Sequence, residues 1–121
     1  MHTAEHAAAI EFQQCIDDCF SCGELCVRTM EHCFELRGKR VEASQIRTLS
    51  DCAAICQTTA GFMIRASAFH PRVCGVCAEV CHACERECRS ATDDPKMQQC
   101  ADACRRCAES CERLASVSAA A

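Results

Sequence analysis

Apolar positions recur in steps of three and four residues within four blocks of the chain, and short polar stretches with glycine or proline separate these blocks. Such steps place side chains on one stripe of an α-helix, the stripe that packs against a helical core. We therefore predict four amphipathic helices. They span residues 3–37, 42–69, 71–90 and 95–115, and residues 116–121 form a frayed tail.

Glycine and proline set the predicted helix boundaries. Gly38 suits the left-handed residue that commonly ends a helix. Pro71 disfavours helical geometry at His70 and suits the first turn of the third helix. Residues 92–94 offer an N-cap for the fourth helix, and Pro95 suits its first turn. The connections are short, so neighbouring helices run antiparallel, which predicts an all-α, up-down-up-down four-helix bundle.

Cysteine, rather than leucine or isoleucine, occupies most positions of the core stripes. Leu, Ile, Val and Phe together number only 20 of the 121 residues, a fraction that by itself is typical of a chain without a core. Because a free thiol packs as a small hydrophobe, we expect the cysteines to line the core of a single domain over residues 1–121. The 16 cysteines are Cys15, Cys19, Cys22, Cys26, Cys33, Cys52, Cys56, Cys74, Cys77, Cys81, Cys84, Cys88, Cys100, Cys104, Cys107 and Cys111.

The antiparallel arrangement predicts which of these side chains share an end of the bundle. One end holds Cys15, Cys74 and Cys111, beside an apolar plug of Phe12, Phe62, Phe69 and Leu114. The other end holds Cys33, Cys52, Cys88 and Cys100.

Charge and hydropathy disfavour several classes of partner. The net charge of −4 argues against nucleic acid, and no apolar run approaches the ~20 residues that span a membrane. The first 14 residues contain no Lys or Arg and no apolar segment of an export signal, so we expect a cytoplasmic protein. A reducing cytosol keeps thiols free, which disfavours a disulfide scaffold.

Cysteines four residues apart on a helix are spaced for binding a metal. Their Cβ atoms lie about 5–6 Å apart, and two metal–sulfur bonds of ~2.3 Å laid end to end span ~4.6 Å. Linear thiolate coordination suits Cu(I), whereas Zn(II) requires four ligands on a tetrahedron. The candidate pairs are Cys15/Cys19, Cys22/Cys26, Cys52/Cys56, Cys77/Cys81, Cys84/Cys88, Cys100/Cys104 and Cys107/Cys111.

Charge separates copper from zinc independently of geometry. Buried thiolates without compensation cost several kcal/mol each, so the metal-free core must hold neutral thiols, and bound metal must displace their protons. Zinc at four thiolates per ion leaves a charge of −2 at each site, whereas Cu(I) with bridging sulfurs leaves the core near neutral. We therefore predict many Cu(I) ions per chain, between about eight and about sixteen.

Two methionines and one histidine are further candidate ligands. Met97 precedes Cys100 by three residues, and Met63 follows Cys56 by seven, so each could offer a thioether to Cu(I). The alternative for both is a methionine that fills a gap in the core. His70 lies at the corner between the second and third helices, where it either contacts metal or serves as a cap or hydrogen-bonding group.

The residues resemble a known family, the bacterial four-helix-bundle copper storage proteins of the cytosolic type. The resemblance covers nearly the whole chain and is sharpest at Phe62-Met63, at His70, and in residues 74–85 and 100–111. It implies a homotetramer of bundles that stores Cu(I) on inward cysteines, with the 16 cysteines as ligands. Several members carry additional Cys or His near the turn between the third and fourth helices, where this chain has Ser90, Ala91, Thr92, Gln98 and Gln99. The copper donor or acceptor protein is not indicated.

Other functions remain to be compared. A thiolate buffer for zinc or other soft metals is the main alternative. An iron–sulfur protein is suggested by Cys74, Cys77 and Cys81, but the ferredoxin run C-x₂-C-x₂-C-x₃-C-P is absent. A thiol–disulfide oxidoreductase is suggested by four C-x-x-C pairs, although redox motifs usually occur singly beside a βαβ unit. No nucleophile–base pair stands apart from the candidate ligands, so we predict that the protein is not an enzyme.

Overall fold

Four α-helices form the part of the chain that the computed structural model describes, residues 3–36 and 42–118. They are α1 (Thr3–Glu35), α2 (Ala43–Ile64), α3 (His70–Arg89) and α4 (Pro95–Ser118). Each helix packs against the next along the chain, and α1 also packs against α4, which closes the bundle. The backbones of the two diagonal pairs of helices do not approach each other, because the core side chains lie between them. The predicted all-α four-helix bundle is confirmed.

The turn between α2 and α3 differs from the prediction, since α2 ends at Ile64 and not at Phe69. Ala66 has a φ of 52°, in the left-handed region, and its N–H donates to the carbonyl of Met63 at 2.9 Å. The N–H of Ser67 donates to the carbonyl of Phe62 at 2.9 Å. These two hydrogen bonds end a helix in the usual way, except that alanine stands where glycine is preferred.

The other helix ends also shift by a few residues. α3 begins at His70, one residue before the predicted start at Pro71. Pro71 lies in the first turn, where proline is tolerated, and it does not exclude His70 from the helix. α4 continues to Ser118, three residues beyond the predicted end at Ala115. The predicted end of the first helix at Arg37 and its stop at Gly38 lie outside the described residues, as do residues 119–121.

The core is made of thiols, as the sequence predicts. All 16 cysteines are buried and none is in a disulfide, with exposed fractions of 0–2%. Leu49, Met63, Met97 and Leu114 are buried among them. Phe69, predicted in the apolar plug, is instead 63% exposed, because α2 ends five residues before it. No helix in the described residues is long and apolar enough to cross a membrane.

Candidate metal centre

The sulfurs of the core contact one another from helix to helix, beginning at the end of the bundle where α1 starts. Cys15 and Cys111 bring their Sγ atoms to 3.7 Å. Cys19 lies 3.8 Å from Cys111 and 3.8 Å from Cys107. Cys74 is hydrogen-bonded to both Cys15 and Cys111. The predicted grouping of Cys15, Cys74 and Cys111 at this end is confirmed.

Cys56 contacts three other sulfurs at the centre of the bundle. Its Sγ lies 3.7 Å from Cys81, 3.8 Å from Cys77 and 3.8 Å from Cys107. Since Cys77 and Cys81 lie on α3 and Cys107 lies on α4, one sulfur of α2 contacts thiols of an adjacent helix and of the diagonal helix.

The chain of contacts continues from Cys52 toward the other end. Cys22 lies 3.9 Å from Cys52 and 3.7 Å from Cys104, and Cys26 lies 3.9 Å from Cys100. Cys52 also lies 3.8 Å from Cys81. The prediction that Cys52 lies toward this end of the bundle is wrong, because its partners place it near the middle.

These contacts join 15 of the cysteines into one continuous group, which we call the sulfur column. Cys84 belongs to it through Cys26, Cys100 and Cys104, and Cys88 through hydrogen bonds to Cys100 and Cys84. The column comprises Cys15, Cys19, Cys22, Cys26, Cys52, Cys56, Cys74, Cys77, Cys81, Cys84, Cys88, Cys100, Cys104, Cys107 and Cys111.

Within the column, sets of four sulfurs lie close enough together to surround a metal ion. In each set all four Sγ atoms are within 4.8 Å of one another, and each set draws on three helices. Many sulfurs belong to two sets, which places them to bridge two ions. Five sets are Cys19/Cys77/Cys107/Cys111, Cys22/Cys26/Cys52/Cys104, Cys22/Cys52/Cys56/Cys81, Cys26/Cys84/Cys100/Cys104 and Cys56/Cys77/Cys81/Cys107.

Each of the five sets combines one of the predicted pairs along a helix with two sulfurs from other helices. Among the described sulfur–sulfur contacts of 4.0 Å or less, Cys77 and Cys81, at 3.9 Å, are the one pair on the same helix. A trigonal site with metal–sulfur bonds of ~2.3 Å has its sulfurs ~4.0 Å apart, close to the separations of 3.7–4.0 Å between helices. The sequence predicted pairs along each helix but could not predict how the helices are rotated against one another.

Contacts within the core raise the pKa of some thiols and lower that of others. Hydrogen bonds with Cys104 and Cys107 lower the pKa of Cys22 and Cys77, respectively. Loss of solvent, followed by the nearby charges of Asp94 and Cys100, raises the pKa of Cys33. Hydrogen bonds to Cys100 and Cys84, together with burial, raise the pKa of Cys88. The hydrogen bond with Cys111 lowers the pKa of Cys74, but the hydrogen bond with Cys15 and burial outweigh it and raise that pKa to about 12. A metal ion that binds Cys33, Cys88 or Cys74 must therefore displace a proton.

A methionine lies at each end of the core. Met63 Sδ accepts from the thiol of Cys74 at 3.8 Å, and Met97 Sδ accepts from the thiol of Cys33 at 3.9 Å. Both methionines are buried, so the structure places the two predicted thioethers next to thiols.

His70, the third additional candidate, lies at the start of α3. Its Nδ1–H donates to the carbonyl of Ser67 at 3.0 Å, and its ring meets the ring of Phe12 edge-on, with centroids 5.2 Å apart. These contacts fix the turn between α2 and α3. The ligand role of His70 stays a prediction.

Comparison with known families assigns the chain to one of them. A sequence model of the family described as "Copper storage protein" matches residues 8–116. The chain belongs to the copper storage protein family. No match is found among curated protein sequences.

Solved structures of copper storage proteins share this fold. The Cu(I)-bound copper storage protein BsCsp3 of Bacillus subtilis is 33% identical, with a TM-score of 0.78, covering 87% of this chain and 98% of that one. A cytosolic copper storage protein of Streptomyces lividans with five coppers is 31% identical, with a TM-score of 0.75, covering 88% of this chain and 92% of that one. The protein Nmul_A1745 of Nitrosospira multiformis is 44% identical, with a TM-score of 0.83, covering 90% and 98%.

Two features position the helices around the sulfur column. A Cβ at Gly23 would lie 3.4 Å from the Cβ of Cys56, in van der Waals contact, so α1 and α2 lie close together at this glycine. His32 and Asp94 join the end of α1 to the start of α4. A glycine inside a helix is a sequence signal for close approach of two helices. The histidine–aspartate pair has no such signal, because its two residues are 62 positions apart.

Proposed function

We propose that the protein stores Cu(I) as cargo in the sulfur column, in the cytosol, and so keeps the ion from reacting elsewhere. The observation that carries this proposal is the sharing of sulfurs, since Cys22 and Cys56 each belong to two sets of four. Bridging sulfurs allow about one Cu(I) per thiolate, which leaves the loaded core near neutral. Relatives with bound copper, one of them described as cytosolic, support the same reading.

The proposed ligands are the 15 cysteines of the sulfur column, together with Cys33 and the thioethers of Met63 and Met97. Each of these methionine sulfurs lies within 4 Å of a cysteine sulfur. Thiolates and thioethers are the soft ligands that select Cu(I) over harder ions. The four helices enclose one column, which supports a single storage domain.

The alternative is a thiolate buffer for zinc or other soft metals. Four sulfurs within 4.8 Å also suit a tetrahedral Zn(II) site. However, each such site would keep a charge of −2 in the buried core, which costs several kcal/mol. An anaerobic titration of the zinc-loaded protein with Cu(I), in which the released zinc is measured, separates the two functions. We expect Cu(I) to displace all the zinc. Zinc that stays bound when chelators hold free Cu(I) and free Zn(II) at equal activities would favour the thiolate buffer.

We propose storage without catalysis. Thiols are the strongest nucleophiles of the chain, and their exposed fractions of 0–2% leave them out of reach of a substrate. The family is one of storage proteins, which agrees with this role.

We also propose that copies of the chain associate as a homotetramer through α1. Phe20, Val27 and Phe34 follow one another in steps of seven and are 48%, 48% and 57% exposed. An exposed apolar stripe of this kind marks an interface. Replacing Phe20 and Val27 by Glu should lower the mass measured by light scattering, whereas Phe69→Ser, a change of another exposed phenylalanine, should leave it unchanged. A variant mass equal to that of the wild type would contradict this surface.

A further inference from the structure

The sulfur of Cys33 stands apart from the sulfur column. Its contact is the thioether of Met97, 3.9 Å away, and no hydrogen bond joins it to another cysteine in the part of the chain that the structure describes. At the opposite end, Cys74 also touches a methionine but is hydrogen-bonded to Cys15 and Cys111. The two ends of the core are therefore built differently.

Two side chains without sulfur, one on α1 and one on α2, interrupt the core stripes between the sulfur column and Cys33. On α1, Thr29 takes the stripe position between Cys26 and Cys33; it is 2% exposed, and its hydroxyl donates to the carbonyl of Leu25 at 2.7 Å. On α2, Leu49 is fully buried three residues before the first cysteine of that helix. The thiols thus do not continue as a bridged series to Cys33.

The surrounding structure holds Cys33 and Met97 in place. Asp94 accepts a hydrogen bond from His32, the residue before Cys33, at 2.8 Å. Its other oxygen accepts from the N–H of Met97 at 3.3 Å. One carboxylate therefore fixes both chain segments that carry the two sulfurs. The sulfur-bearing residues are 2% and 3% exposed.

We propose that Cys33 and Met97 bind one Cu(I) ion as a separate thiolate–thioether site, outside the shared thiolates of the column. This inference rests on the proposed storage of copper. The thiol of Cys33 releases one proton, so the thiolate, the neutral thioether and the ion sum to zero charge, which suits a buried site.

The pair can reach copper geometry with a small movement. Linear coordination needs the sulfurs ~4.6 Å apart, and the flexible side chain of Met97 can supply the ~0.7 Å that is missing. One thiolate and one neutral thioether hold the ion less firmly than the two or more thiolates that each ion can reach in the column. We therefore expect this site to fill last and to empty first.

Anaerobic titration with Cu(I) against a competing chelator tests the site. Met97→Leu removes the sulfur while nearly keeping the volume, and it should lower the capacity by one ion per chain. Cys33→Ala and the double variant should each lose the same single ion. Met30→Leu is the matched control, because Met30 is only partly buried and its sulfur accepts from the hydroxyl of Ser50 at 3.2 Å. The control should bind as many ions as the wild type and release them at the same rates.

Copper anomalous diffraction from loaded crystals provides a second measurement that does not depend on how the variants fold. The expected result is a peak between Sγ of Cys33 and Sδ of Met97 in the wild type. No peak there, or a peak that joins Cys33 to the column without contact to Met97, would overturn the site. A wild-type protein that binds fewer than about five ions would instead contradict the storage function, so the two failures are distinguishable.

Discussion

The imidazole Nε2 of His32 lies 2.8 Å from Oδ2 of Asp94, and both side chains are mostly buried, at 18% and 11% exposure. Asp94 Oδ1 also accepts from the backbone N–H groups of Lys96 and Met97, at 3.0 and 3.3 Å. Burial raises the pKa of Asp94, but the hydrogen bonds from His32 and Met97 outweigh it and lower that pKa. One carboxylate thus caps α4 and joins it to α1.

Loss of this carboxylate should weaken the metal-free bundle. Asp94→Ala removes an N-cap and leaves His32 without its partner, so we expect the free energy of unfolding to fall by about 1–2 kcal/mol. Urea unfolding of the reduced protein, followed by circular dichroism, measures the change. Asp51→Ala, an exposed aspartate on α2, is the control and should have little effect. Equal effects of the two substitutions would show that Asp94 does not join the helices.

The close approach of α1 and α2 should depend on Gly23. A Cβ there meets the Cβ of Cys56 at 3.4 Å and the carbonyl of Ala53 at 3.5 Å, so the larger side chain in Gly23→Val must push the helices apart. We expect a loss of about 1–3 kcal/mol in the free energy of unfolding. Thermal unfolding without metal measures this.

Gly75 offers the matched control, since nothing lies within 4 Å of a Cβ built on it. Gly75→Ala should stabilise the bundle by up to about 1 kcal/mol, because alanine favours the helix. If both substitutions destabilise the protein equally, helix packing at Gly23 is not the cause.

Alkaline pH should destabilise the metal-free protein. A thiol ionises near pH 9.0 in the unfolded chain, whereas folding raises the pKa of Cys74 to about 12 and also raises those of Cys33 and Cys88. The stability that these thiols contribute is complete below pH 9 and is lost as the pH rises toward the folded pKa. The melting temperature of the reduced protein should therefore fall between pH 9 and about 11.

Bound copper should suppress this pH dependence, because the copper-loaded thiols are already deprotonated. Melting curves of the loaded protein over the same pH range serve as the comparison. A metal-free protein whose melting temperature is constant up to pH 11 would mean that its thiols are not held in the neutral form.

Much of the fold and of the site could be predicted from the chain because the cysteine spacing fixes which face of each helix is buried. The rest depended on relations between helices. The predicted position of Cys52 is too near one end, since spacing along one helix does not determine the axial shift of that helix against the others. Ala66 gave no signal of a helix end, because left-handed geometry is usually a property of glycine. The His32–Asp94 pair is evident only from the packing of α1 against the start of α4.

A single change in the centre of the column should lower the copper capacity without unfolding the bundle. Cys56 touches Cys77, Cys81 and Cys107, so Cys56→Ser should remove about one or two ions from the shared sites. Inductively coupled plasma analysis of the loaded protein counts the ions, and far-ultraviolet circular dichroism reports the helices. Ala60→Ser on the same helix is the control and should keep the capacity. Collapse of the helices in Cys56→Ser alone would mean that its thiol is primarily structural.

The copper capacity of the intact protein tests the central claim most directly. The reduced chain is titrated with Cu(I) in the absence of oxygen, with a competing chelator that reports free copper. We expect between about eight and about sixteen ions per chain, bound to a protein that is already helical before copper is added. Saturation at about four ions or fewer, the number that separate tetrahedral sites would hold, would contradict storage on shared thiolates.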